Sequence, residues 1–405
     1  MPKNKRPVPR KSAAAPVEDN DVMAQALADL ALALSEQEHA EEEDAVLLSA
    51  QEDEFGKLLR NALRKKNDEV LYGAIERARD ADVGAYQFVR SHIEEVAASL
   101  VLRREGGPAM EVDAFAVPLF VHSTGGLQES ESFQDGDAFE ELVASFQQAG
   151  LESPDAKVVM MAHAYDPEEA ARISFSDLSE MIRDAAGTMT DKKLVARPAL
   201  ERSMAGWTGT SFTASDKAVE LRFLLGFSMK RADDPFYAAP IVEAAADAWF
   251  EARADRYRAW TERAAPLVKR CLAGRPDSVE LHFLYQDLFF AAREQGMAEL
   301  AMLQMMAELG AALEQHGSGQ HASAVVGPAD VDDMMVLRVN LIDDAGVLLA
   351  SSDKPLDLAA DLQVEVDDIV DALGTLGVHQ VSVALRFGPD GQPKDALPYA
   401  GQGGG

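Results

Sequence analysis

The chain has 405 residues, 47% hydrophobic and 26% charged, with a formal net charge of −31 at pH 7. That composition belongs to a globular chain rather than an intrinsically disordered one and leaves room for two or three domains. The acidic excess argues against nucleic acid as the main partner, because phosphate binding needs an attractive field or a large basic face.

Cys271 is the only cysteine, which excludes an intramolecular disulfide and any zinc site built on two cysteines. The residues call for no cofactor and no metal. No apolar run approaches the ~20 residues needed to span a bilayer. The basic start lacks the apolar core of a secretory signal. The expectation is a cytoplasmic protein with no membrane contact.

The first sixteen residues carry Lys3, Lys5, Arg6, Arg10 and Lys11 among four prolines, with no acid. Proline at this density opposes helix and sheet, so an extended arm is expected over 1–20. Such an arm offers weak contacts to an anionic partner, nucleic acid included, or it acts as a solubilising terminus. From Glu18 to Glu54 the balance reverses, with thirteen acids and no Lys or Arg.

A helical domain is expected over 21–105. Met23, Leu27, Leu30 and Leu34 form one apolar stripe at helical spacing, and Phe55, Leu58, Leu59, Ala62 and Leu63 form the next. Val70, Leu71, Ala74, Ile75 and Ala78 make a third, and Tyr86, Val89, Ile93, Val96 and Leu100 a fourth.

After Gly106-Gly107-Pro108 the pattern changes to a central α/β domain, 106–316. "VDAFAVPLFVHSTGG" reads as a buried strand, Ala138–Gln148 as a helix, and "KVVMMAHAYDPEE" as a second strand. Asp166-Pro167-Glu168-Glu169 has the chemistry of a helix start: a cap, a proline in the first turn and acids at the positive dipole end. Strand, helix, strand suggests parallel strands joined by a right-handed crossover. The stretch from about 190 to 215 is expected to be irregular.

"VELRFL" at 219–224 returns as "VELHFL" at 279–284. The echo suggests equivalent strands in one sheet, with Glu220, Arg222, Glu280 and His282 on their polar sides as cross-strand pairs or a shared groove. A helix over 241–264 carries Trp249, Phe250, Tyr257 and Trp260, with Pro266 expected to kink or interrupt it. A helix over 288–315 carries Met297, Met302, Met305 and Met306 as core filler or, less often, a binding groove. "HGSGQHASAVVGP" reads as a linker, 317–329. The C-terminal unit, 330–396, reads as β-β-α-β and is expected to share the central sheet, with a flexible tail over 397–405.

Familiar signatures fail on context. Gly317-Ser318-Gly319-Gln320-His321-Ala322 follows a helix rather than a strand, so it is not a dinucleotide fingerprint. Gly56-Lys57 lacks the flanking residues of a phosphate loop, and Ser351-Ser352-Asp353-Lys354 is broken by Pro355. One constellation remains. His122 and His163 close two strands expected to be parallel neighbours, with Ser123 after the first and Asp166 after the second. Beyond the carboxyl ends of parallel strands, two imidazoles and a carboxylate could hold a metal, or Asp166 could orient His163 as the base for a Ser123 nucleophile. Strand-end histidines also serve simply to bond a neighbouring loop.

"VELHFLYQDLFFAAREQGMAEL" and "LGVHQVSVALRFGPDGQPKDA" resemble a bacterial family, best known from betaproteobacteria, catalogued as a domain of unknown function. The resemblance covers most of the chain after about residue 20. It implies a bacterial cytosolic protein and brings no catalytic residues. The fold expected is therefore α/β (α+β mixed): a helical N-terminal domain, a central mixed sheet flanked by helices, and a small C-terminal β-β-α-β unit. The function expected is non-catalytic binding or regulation through protein contacts, with a hydrolase-type site at His122, Ser123, His163 and Asp166 as the alternative.

Overall fold

The computed structural model describes residues 17–36, 45–103, 106–123, 133, 135–190, 219–272, 279–285, 289–316, 322–332, 334–358 and 360–399. Residues 1–16 of the basic arm, the stretch 191–218 and residues 317–321 lie outside them, while 17–20, read as part of the arm, begin a helix. The chain divides into two units, 1–100 with 173–181, and 101–172 with 182–405.

The first unit is helical: α1 (Val17–Glu36), α2 (Ala45–Lys65), α3 (Asp68–Ala81), α4 (Val83–Ala98) and the first turns of α7 (Phe175–Thr190). On α1 the buried stripe is Ala24, Leu27, Ala28, Ala31 and Leu34. Met23 and Leu30 are only half-buried, so the stripe is turned toward the alanines, whose small side chains let a neighbouring helix approach. Asp82 caps α4 by accepting from the Ala85 N–H at 3.0 Å, satisfying an orphan donor of its first turn. Asp68 accepts from Ser174 Oγ at 2.9 Å and from Ser176 N at 3.0 Å. Those bonds tie the 173–181 segment to α3, as does the Tyr72–Phe175 ring contact at 5.2 Å.

The second unit holds two five-stranded sheets. The first contains β1 (Ser99–Leu102), of which only the last two residues fall in this unit, β2 (Met110–Ser123), β3 (Lys157–Tyr165), β4 (Val219–Arg231) and β5 (Val279–Phe283). Its order is β1-β2-β4-β3, with β5 also paired to β2. β2 pairs antiparallel with β4 and β5, and β3 pairs antiparallel with β4. β2 and β3 thus run the same way, as the strand–helix–strand pattern predicts, but they are not neighbours, because β4 is inserted between them. The echoed strands do share the sheet. They flank β2 on opposite edges, so Glu220 and Arg222 do not face Glu280 and His282 as cross-strand partners.

α5 (Gly136–Gln148) and α8 (Glu243–Leu272) cover one face of this sheet. Leu142, Phe146, Trp260, Ala264 and Val268 of these helices meet Val117, Leu119, Val121 and Leu224 of the strands in one core. α8 runs on through Pro266 to Leu272 without interruption. Trp260 is fully buried and satisfies its indole by donating to Ser145 Oγ at 2.8 Å.

The second sheet takes β6 (Ala322–Val331), β7 (Met334–Asp343), β8 (Leu348–Pro355), β9 (Gln380–Val383) and β12 (Leu397–Pro398), in the order β12-β9-β6-β7-β8. It is a sheet of its own and does not extend the first. Helices α9 (Phe289–His316) and α10 (Leu362–Thr375) supply Met305, Leu309, Leu313, Val366, Ile369 and Leu373 to its core. The methionine stripe is therefore largely filler here, although Met297 is 43% exposed. Two further expectations change. Residues 322–329, read as linker, are strand β6, and 397–398, read as tail, pair with β9. β10 (Arg386–Phe387) and β11 (Pro393–Lys394) form a short separate ladder.

Candidate functional site

His163 stands in a β-bulge of β3. Met160 pairs with Gly226 and Ala164 with Leu224, so three β3 residues face one of β4. The bulge re-aims the strand end, and His163 Nε2 donates to Glu169 Oε2 at 2.9 Å. Glu169 belongs to α6 (Pro167–Ala171), whose start is a complete capping box. Asp166 accepts from the Glu169 N–H at 2.8 Å, and Glu169 accepts from the Asp166 N–H at 3.0 Å. Burial pushes the Glu169 carboxyl up, but the His163 bond, the Asp166 N–H and the His163 charge outweigh it and hold the group below its ordinary value of 4.5. Burial, reinforced by the Glu169 charge, pushes the neighbouring Tyr165 hydroxyl well above its ordinary range.

The partner shown for the His163 ring is Glu169, and Asp166 caps α6 instead. Asp166 also approaches Arg222, whose Nη1 lies 3.6 Å away while Nη2 donates to Glu220 at 2.6 Å. The Arg222 side chain is 4% exposed, and the two carboxylates compensate its buried charge.

His122 is elsewhere. It pairs in register with Val219 on β4 and with Glu280 on β5, and its Nδ1 lies 4.0 Å from Glu280 Oε2. Five β4 positions separate Val219 from Leu224, the partner of Ala164. At ~3.3 Å per residue and ~4.8 Å per strand, His122 and His163 sit on the order of 20 Å apart. Ligation of one metal and proton transfer both require contact distance, so the two histidines do not form one site. Ser123 ends β2 next to His122, and its side chain lies outside the described residues. Among the described residues no group of three His, Cys, Asp or Glu side chains is placed to hold a metal ion. Lys3, Lys5, Arg6, Arg10 and Lys11 all lie outside the described residues.

A different feature of the second unit is a cavity of about 270 Å³ between the first sheet and the start of α8. Strand alternation puts Asp113, Phe115 and Val117 of β2 and Ser228 and Lys230 of β4 on its floor. Phe146 and Tyr257 close its inner end, and Trp249, Phe250, Arg253 and Tyr285 stand toward its mouth. The rings lie close together: Phe115–Phe146 at 5.1 Å, Trp249–Phe250 at 5.0 Å and Tyr257–Tyr285 at 4.8 Å between centroids.

The polar groups of the wall are engaged with one another. Glu152, 9% exposed, accepts from Ser228 Oγ and from the Tyr237 hydroxyl, each at 2.6 Å. Burial and the Glu152 charge push the Tyr237 hydroxyl well above its ordinary range, so it stays a donor. Lys230 pairs with Asp113 at 2.6 Å and lies 4.2 Å from the centre of the Tyr237 ring. Arg253 donates to the Leu151 carbonyl at 3.4 Å.

Sequence reasoning found the aromatic bulk of α8 but not the cavity. Its other walls come from residues 113–117, 146–152, 228–237 and 285, which no local motif links. The signal that was present is the spacing of Ala246, Trp249, Arg253 and Tyr257 on α8, one stripe that runs from the buried Trp260 toward the start of the helix.

A protein-family model described as "Protein of unknown function (DUF2863)" matches residues 14–328. The match takes in the "VELHFL" stretch and ends before the C-terminal stretch that also carries the resemblance. No curated protein and no solved structure matches the chain.

Proposed function

The chain belongs to the DUF2863 family, and from that premise we propose that it is a non-catalytic binding or regulatory protein of the bacterial cytosol, acting through protein contacts. One observation carries this reading: an aromatic cavity whose carboxylates Asp113 and Glu152 are held by Lys230, Ser228 and Tyr237 is lined by the exposed ring of Phe250. Phe250 at its mouth is 55% exposed, and Ile241 and Val242, which precede α8, are 103% and 69% exposed. Catalytic groups need a poised acid, base or nucleophile, whereas a ring-lined pocket whose carboxylates are already held suits holding an apolar group.

The bacterial cytosol is supported by the family resemblance and the single cysteine. Among the described residues no helix is long and apolar enough to cross a membrane. The basic arm adds at most a weak, salt-sensitive contact with an anionic partner, because it neutralises few phosphates.

The test compares affinity capture by the tagged wild-type chain and by Phe250→Asp in a bacterium that carries the gene. The reading expects one protein retrieved near stoichiometry by the wild type and lost with the variant, while the two chains melt at the same temperature. An identical set retrieved by both would contradict it.

A further inference from the structure

We infer that Asp390, at the tip of the β10–β11 hairpin, is a site of spontaneous conversion to isoaspartate, and that the conversion loosens the hairpin from the second sheet. The chemistry needs only water. The backbone nitrogen of Gly391 attacks the side-chain carboxyl carbon of Asp390, and the new C–N bond closes a succinimide. The amide proton leaves with the carboxyl hydroxyl as water. Water then opens the ring at either carbonyl, which restores aspartate or routes the main chain through the side chain as isoaspartate. Glycine as the following residue favours closure, because no Cβ hinders the approach.

The chain contains two Asp-Gly pairs, Asp135-Gly136 and Asp390-Gly391, and the fold treats them oppositely. Asp135 caps α5, accepting from the Ala138 N–H at 2.9 Å and from Arg270 Nε and Nη2 at 3.1 and 2.8 Å. The Ala138 bond, then the Arg270 bonds and charge, hold its carboxyl below the ordinary carboxylate value against the opposing effect of burial. The ionised carboxylate is the poorer electrophile. Gly136 also begins a helix packed into the core, so ring closure there would unwind α5. Asp390 is exposed, and among the described residues its carboxyl accepts one bond, from the Gln392 N–H at 3.2 Å. Gly391, at φ +71°, gives its N–H to the Gly388 carbonyl at 2.9 Å. That bond must open before attack, but it lies beside a ladder of only two residue pairs, which opens locally at little cost.

The conversion reaches the sheet through Asn340. This β7 side chain is 5% exposed and donates from Nδ2 to the Gly391 carbonyl at 3.2 Å, while its Oδ1 is buried with no hydrogen-bond partner. Isoaspartate adds one carbon to the main chain between residues 390 and 391, which displaces that carbonyl. Asn340 then loses the one hydrogen bond its side chain makes, and a buried amide left unbonded is costly. The hairpin lifts to let water reach it, uncovering the small core that Phe387 shares with Val325, Ala329 and Val336.

The test ages the full chain for weeks in warm buffer at pH 7, folded or in guanidinium. Digestion with Asp-N, which cleaves before aspartate but not before isoaspartate, and mass spectrometry then count the converted peptides. The inference expects isoaspartate in the folded chain to accumulate about tenfold or more faster at 390 than at 135, because the bonds on the Asp135 carboxylate must break first. In guanidinium the two rates should converge. Hydrogen exchange over 384–394 should quicken in aged wild type and stay unchanged in aged Asp390→Glu, whose longer side chain closes a ring far more slowly. Equal accumulation at both positions of the folded chain, or none at 390, would overturn the site. A difference that persists in guanidinium would overturn the fold's part in selecting it. Accumulation at 390 with unchanged exchange would overturn the loosening.

Discussion

Phe115 on β2 lies directly over Gly226, its register partner on β4. A Cβ built at 226 would fall 2.6 Å from the ring's Cε2, closer than any side chain tolerates. The glycine is thus the empty half of a cross-strand pair, and the ring that fills it is also the floor of the cavity and packs on Phe146. Gly226→Ala should force the ring up or the strands apart and destabilise the second unit by about 1–3 kcal/mol. Urea unfolding followed by circular dichroism measures this. Pairing Gly226→Ala with Phe115→Leu should recover part of the loss, because the clash is specific to the ring.

The hydroxyls on Glu152 should each matter. Tyr237→Phe or Ser228→Ala removes one donor from a nearly buried carboxylate and should cost about 1.5–3 kcal/mol, the range for hydrogen bonds to charged groups. Their joint cost should depart from the sum, since both bonds end on the same oxygen. A double-mutant cycle in urea reads the coupling directly.

Acid stability should depend on Glu169. Its folded-state carboxyl titrates below its ordinary value of 4.5. The ionised form therefore contributes stability that is fully present above that value and is lost as pH falls through the folded one. Wild type should be more stable than Glu169→Gln at pH 7, and the gap should shrink steadily on acidification below about 4.5. Melting temperatures of both chains across pH 3–7 test this. A gap that stays constant with pH would mean that the His163–Glu169 bond does not govern the titration.

Cys271 should be silent in the folded chain. It is 2% exposed, and burial, followed by the charge of Asp135, pushes its thiol up to about 12. The thiolate is the reactive form, so iodoacetamide at pH 7 should leave the native protein unlabelled and modify it fully in urea. Mass spectrometry after timed exposure counts the adduct. Fast labelling of the native chain would show that the α8 end opens readily.

What could be read from the chain was local. The Asp166-Pro167-Glu168-Glu169 helix start appears as expected, and the structure closes it with a capping box; the "VELRFL" and "VELHFL" echoes do lie in one sheet. The insertion of β4 between β2 and β3 could not be read, because it depends on a pairing across roughly a hundred residues, to which hydrophobic period is blind. β6 was hidden for a different reason. Ala322, Ser323, Ala324 and Gly327 have linker composition, yet small residues are what this strand needs, since a Cβ at Gly327 would stand 2.7 Å from the Ala384 carbonyl oxygen. The proposed histidine pairing failed on register: both strand ends were placed correctly in sequence, but their alignment across β4 was not encoded near either histidine. The cavity was invisible because its walls come from five separate stretches, with only the α8 stripe hinting at it.

The central claim is that the mouth of the α8 cavity is a protein-contact surface. A photocrosslinking phenylalanine analogue at position 250, activated in living cells, tests it at the residue itself. The account predicts one discrete adduct with a second protein, abolished by Trp249→Ala at the same expression level. Absence of any adduct, or a diffuse ladder unaffected by Trp249→Ala, would contradict it.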